Sequence, residues 1–213
     1  MPELLATIGS QTAALTVVVF DAVHAAEWVP TKAAATKAQF TGHPAEVMRL
    51  LAKGEDVAEF DVGASHAFAF ELEGRSGKLE LYSVSDGVHA MVAPPRAWWR
   101  ANGAPAADLD ALFAEALAAD GADDEAVETI GELELGSGKL AAVYLWHKKV
   151  GAARELASTL APGGAAAFGD GYGATENGAV ADLGVGSVQL RKRELKAPWD
   201  AEQSLVVMYL TRT

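Results

Sequence analysis

Residues 57–93, VAEFDVGASHAFAFELEGRSGKLELYSVSDGVHAMVA, decide the fold. Apolar side chains alternate along each run: Phe68, Phe70 and Leu72 share one face, Leu79 and Leu81 another, and Val88, Ala90 and Val92 a third. That period of two belongs to strands with one buried face. Glu73-Gly74-Arg75-Ser76-Gly77 and Ser85-Asp86-Gly87 separate the runs with residues that tolerate the positive φ of tight turns. The pattern predicts an antiparallel meander.

Upstream, residues 14–20 are β-branched at Val17, Val18 and Val19 and lack helical spacing, so they read as a strand. Between residues 30 and 53 the apolar positions fall at helical intervals. Pro44 suits the first turn of a helix carrying Val47, Met48, Leu50 and Leu51, and Gly54 suits its end. Downstream, Pro94-Pro95 closes the sheet section. Leu109, Leu112, Phe113, Ala116 and Leu117 then recur at the three-and-four spacing of an amphipathic helix, with Asp108 and Asp110 near its positive N-terminal end.

A second hairpin is predicted over residues 130–135 and 139–146, joined by Gly136-Ser137-Gly138, followed by a helix around Arg154 to Leu160 that Pro162-Gly163-Gly164 ends. Residues 169–186 are glycine-rich and lack sustained periodicity. They read as a long loop broken by a short strand at 178–183. Strands at 188–195 and 204–210 finish the chain, and the last is apolar on both faces, as a central strand is. The expected fold is α+β: a mainly antiparallel sheet from two hairpin-rich sections, with two to four helices packed on one side and residues 1–213 in a single domain.

One internal echo runs through this pattern. Glu71-Leu72-Glu73-Gly74-Arg75-Ser76-Gly77-Lys78-Leu79 resembles Glu132-Leu133-Glu134-Leu135-Gly136-Ser137-Gly138-Lys139-Leu140. The flanks do not repeat, so the echo reads as the same hairpin turn used twice rather than as a duplicated half-domain.

Composition bounds the chemistry. With no cysteine there is no disulfide, thiol nucleophile or thiolate metal site. No apolar run approaches the roughly 18 residues of a membrane-spanning helix, and no basic segment precedes an apolar one at the N-terminus. A cytoplasmic location with no membrane partner is the expectation. Seventeen basic and 29 acidic residues give a net charge of −12, which disfavours nucleic acid and anionic lipid. The acidity is concentrated: residues 101–138 hold ten carboxylates and no Lys or Arg.

Candidate motifs are weak. Gly136-Ser137-Gly138-Lys139 suggests a phosphate loop, but Leu133 stands where its first glycine belongs, Leu140 stands at the Ser/Thr position, and a strand follows in place of a helix. Around Gly169-Asp170-Gly171-Tyr172-Gly173 the oxygen ligands do not keep calcium-loop spacing. The histidines at 24, 43, 66, 89 and 147 show no metal-binding interval. Neither a metal nor a cofactor is expected, and no nucleophile, base and orienter stand out to mark an enzyme. Arg191-Lys192-Arg193 reads as a solvated sheet edge, with Arg191 and Arg193 on one face and Lys192 on the other.

The leading expectation is a non-enzymatic binding protein that engages a basic protein partner, an antitoxin-like or immunity-type inhibitor being one form. Its surface would be Asp108, Asp110, Glu115, Asp120, Asp123, Asp124, Glu125 and Glu128, read as one outward-facing patch. The alternative is an enzyme or small-molecule binder with its site in the 169–186 loop, using His147, Asp170, Tyr172, Glu176 and Asp182. A structural or assembly subunit is the third reading.

Overall fold

The computed structural model describes residues 1–9, 14–30, 32–33, 40–54, 56–73, 78–169 and 176–213. The strands are β1 (Glu3–Gly9), β2 (Ala14–Asp21), β3 (Lys32–Ala33), β4 (Phe40–Thr41), β5 (Val57–Val62), β6 (Ser65–Glu73), β7 (Lys78–Ser85), β8 (Val88–Val92), β9 (Glu128–Leu135), β10 (Lys139–Tyr144), β11 (Ala165–Phe168), β12 (Gly178–Asp182), β13 (Gly186–Ala197) and β14 (Asp200–Arg212). The helices are α1 (His43–Leu51), α2 (Arg96–Ala101), α3 (Ala106–Ala116) and α4 (Ala152–Thr159), with 3₁₀ turns at Ala22–Glu27 and Gly121–Asp123. Two six-stranded sheets, ordered β1-β7-β8-β14-β13-β9 and β11-β12-β10-β2-β6-β5, hold most of the strands. The fold is α+β with mainly antiparallel sheets.

The chain divides into two compact units. The first comprises Met1–Leu15, Leu72–Glu132 and Ser187–Thr213, and the second Thr16–Glu71 and Leu133–Gly186. In the first, α3 buries Leu109, Leu112, Phe113 and Ala116 in a core that includes Ala90 and Val92 of β8, Leu195 of β13, and Leu205, Val207 and Tyr209 of β14. Full burial of each large apolar side chain contributes about 2 kcal/mol, more than the propensity differences along a helix this short. As its two-sided apolar pattern predicts, β14 is interior, paired with β8 and β13, and Leu205 through Leu210 are buried except for a partly exposed Val206.

In the second unit, α1 and α4 cover a core that includes Val18 and Phe20 of β2, Phe60 of β5, and Ala141 and Val143 of β10. Pro44 sits in the first turn of α1, and Gly54 takes φ 87° just past its end, as the sequence implies.

Strand existence follows the periodicity, but the pairing departs from it. β5 and β6 form a hairpin through Gly63, and β7 and β8 form another through Asp86-Gly87. β6 and β7 belong to different sheets, however, and so do β9 and β10. The two segments expected to close hairpins are therefore the places where the chain leaves one sheet for the other. Residues 74–77 of the first lie outside the described residues. The unit boundary falls after Glu71 and after Glu132, the same position in both copies of the echo. Glycine, serine and a following charge favour any abrupt change of direction, so they mark a crossing as readily as a hairpin.

The crossing at 136–139 is held by local chemistry. Asp21, at the end of β2, accepts hydrogen bonds from the Ser137 backbone N–H at 2.9 Å and from the Ser137 hydroxyl. The chain's own carboxylate thus fills the anion position that the Gly-Ser-Gly-Lys string suggests. Gly138 has φ 72°, and a Cβ there would lie 2.7 Å from the Val185 nitrogen and 2.8 Å from the Gly184 carbonyl carbon. Gly138→Ala is expected to lose about 3 kcal/mol in urea unfolding, from left-handed strain plus an unyielding backbone contact. Gly54→Ala, with similar φ and nothing within 4 Å, is expected to lose about 1 kcal/mol from strain alone; equal losses would contradict the steric part.

Candidate functional site

The acidic segment runs through α3, the 3₁₀ turn at Gly121–Asp123 and the start of β9, all in the first unit. Opposite it stands β13, a strand interior to its sheet rather than an edge, lying between β14 and β9. Strand alternation places Arg191 and Arg193 on the same face as Leu195, and Leu195 belongs to the core under α3. Both arginines therefore rise toward the acidic segment.

The Arg193 side chain is only 9% exposed, and its Nη2 donates to Glu115 Oε1 at 2.9 Å and to Asp124 Oδ2 at 2.6 Å. The Tyr209 hydroxyl donates to the Ala116 carbonyl at 2.9 Å. Burial raises the Tyr209 pKa, against the nearby Arg193 charge that tends to lower it, keeping that hydroxyl a donor. Arg191 Nη1 lies 3.5 Å from Asp123 Oδ1. Gly121 lets the 3₁₀ turn approach this network, because a Cβ there would sit 2.7 Å from the Tyr209 hydroxyl oxygen.

Glu115, Asp120, Asp123, Asp124 and Arg193 line one concavity of about 400 Å³. Four carboxylates gather there against two guanidinium groups, leaving a local charge of −2. The patch is thus partly neutralised from within the chain, unlike the uncompensated surface the sequence suggests. The rest of the expected set is spread along the segment: Asp108 is half-buried in the first turn of α3, Asp110 is exposed on its flank, and Glu125 and Glu128 are exposed beyond the turn. Asp120, Glu125 and Glu128 make no ion pair among the described residues.

Three members of the alternative set in the second unit, His147, Glu176 and Asp182, lie among the described residues. Asp170 and Tyr172 lie outside the described residues, and Glu176 is exposed. Asp182 is engaged structurally, with Lys139 Nζ at 2.8 Å and the Gly163 and Gly184 amides at 2.9 and 3.1 Å. Burial tends to raise its pKa, but those donors outweigh burial and hold it below the ordinary carboxylate value. His147 is buried, its ring 4.8 Å from Phe168, and its Nδ1 accepts from the Lys149 N–H at 3.0 Å. No group of three or more His, Asp or Glu among the described residues is arranged to hold a metal ion.

Sequence reasoning missed two features. Arg193 was read as a solvated edge, although its placement with Leu195 on the core-facing side is a legible signal. Arg96 lies over the Phe113 ring, 3.8 Å from its centroid.

No protein-family model, curated protein or solved structure matches the chain. No helix among the described residues is long and apolar enough to cross a membrane.

The titratable pairs in the second unit give a pH signature. His66 on β6 bridges two carboxylates of β5, with Nδ1 3.2 Å from Asp61 Oδ1 and Nε2 in contact with Glu59 Oε1. Burial lowers its pKa, but hydrogen bonds and charge from Asp61 and Glu59 outweigh it, and the net shift is upward. A raised folded pKa means that the clamp's contribution is complete below the unfolded value of about 6.5 and is lost as pH rises through the folded value. An NMR titration is expected to place the His66 imidazole above about 6.5 and to find it lowered in Glu59→Gln. Titration at or below that value in the parent protein would contradict the clamp.

Proposed function

We propose that this chain is a non-enzymatic binding protein that docks a basic segment of a protein partner against the acidic rim of the first unit. The reading rests on the concavity where Glu115, Asp120, Asp123 and Asp124 converge around Arg193. Electrostatic complementarity of this kind raises association rates and selects a cationic partner. Arg193 and Arg191 consume part of the charge, so the attraction falls to the carboxylates that face solvent without a cation: Asp120, Glu125 and Glu128, with the outer edge of Asp123.

A net charge of −12 opposes nucleic acid and anionic membranes. A cationic protein is the complementary class. Inhibition of a basic toxin, in the manner of an antitoxin or immunity protein, is one concrete form. The cysteine-free composition suits a reducing compartment such as the cytoplasm.

The test is binding of an arginine-rich peptide, followed by fluorescence anisotropy at low and physiological salt. Asp120→Lys, Glu125→Lys and Glu128→Lys together are expected to weaken binding by about tenfold or more, and added salt to weaken the parent protein. Glu134→Lys, Glu155→Lys and Glu176→Lys change the net charge equally at exposed positions elsewhere and are expected to shift affinity by less than about threefold. If both sets weaken binding alike, attraction is a property of net charge and the docking rim is wrong.

A further inference from the structure

A second concavity bordering α3 differs from the acidic rim in being mainly apolar and in holding a cation. It measures about 550 Å³ and is walled by Met1 and Pro2, by Val84 at the end of β7 and by Phe113, Ala114 and Leu117, with Arg96 and Asp110 as its charged side chains. This volume falls within the range of small-molecule pockets, and the wall is mainly apolar.

Arg96 is the informative residue. Its guanidinium carbon stands 3.8 Å from the centre of the Phe113 ring. Stacking uses the flat face of the guanidinium and leaves its N–H donors pointing outward in the plane. Nε is buried without a hydrogen-bond partner, and Arg96 forms no ion pair among the described residues. A stacked cation held in no ion pair is an arrangement that receives a carboxylate through its terminal Nη donors. Asp110 on the same wall partly offsets the positive charge, which favours a ligand with one negative charge over one with several.

We propose that this concavity binds a small amphipathic monoanion, a compact apolar body carrying one carboxylate, with the carboxylate on Arg96 and the body against Phe113, Ala114 and Leu117. The site is independent of the acidic rim and takes a ligand of opposite charge, so either reading can fail alone.

Calorimetric titration of the full chain with decanoate tests it. Binding is expected in the parent protein and weakened by about tenfold or more in Arg96→Met, while Asp110→Asn tightens it by about threefold. Decanol, with the same tail and no charge, is expected to bind at least about tenfold more weakly than decanoate and to be indifferent to both substitutions. Circular dichroism checks that each variant folds. If Arg96→Met does not fold, exposed Asp110→Asn decides: unchanged or weaker decanoate affinity overturns the proposal. Absence of decanoate binding, equal affinity in a folded Arg96→Met, or decanol binding as tightly as decanoate also overturns it.

Discussion

A guanidinium group buried on the core-facing side of an interior strand must be compensated where it stands. Arg193 on β13 meets that requirement at Nη2, which bonds Glu115 at the end of α3 and Asp124 after the 3₁₀ turn, while its Nε is buried without a partner. Desolvating a cation costs several kcal/mol, and that cost is recovered only when its donors find well-placed acceptors. The path of the chain from residue 115 to 124 is constrained accordingly. The approach of Gly121 to Tyr209 and the convergence of four carboxylates into one concavity go with it.

Internal satisfaction of charge recurs in the second unit. Asp21 fills the Gly136-Ser137-Gly138 turn, and Asp182 binds Lys139 together with the Gly163 and Gly184 amides. Both are groups that a sequence reading can mistake for ligand sites, because a loop that cradles a phosphate and a loop that cradles the chain's own carboxylate use the same residues. The informative exceptions are side chains whose polar edges stay open. Among the described residues of the first unit, Arg96 is one and the outer carboxylates at Asp120, Glu125 and Glu128 are others. Open groups of opposite sign on one unit are why the two binding proposals differ in ligand charge.

Local structure was legible because it is written in local spacing. The alternation at Phe68, Phe70 and Leu72, the helical repeat from Leu109 to Leu117 and the two-sided apolar pattern of β14 each reflect which face a few consecutive residues bury. Strand partners were not legible, because a short polar turn specifies a reversal without specifying the sheet in which the next strand pairs. Hence β6 and β7, and likewise β9 and β10, read as hairpins yet lie in different sheets. The repeated Glu-Leu-Glu and Ser-Gly-Lys-Leu elements carried the missing information, since both copies mark a passage between units. At the candidate site, alternation put Arg191 and Arg193 on one face. Their partners lay 68 to 78 residues away and were hidden from any window. An acidic run therefore looked uncompensated when two of its charges were bound to a buried cation.

The organising role of Arg193 is most directly measured by a double-mutant cycle in urea unfolding, combining Arg193→Met with Asp124→Asn. If the buried guanidinium holds the acidic turn to the sheet, Asp124→Asn destabilises the parent protein but does little once Arg193 is gone, and the coupling energy is about 1.5 kcal/mol or more. Strictly additive losses, with coupling below about 0.3 kcal/mol, would mean that the two groups are neighbours without being partners.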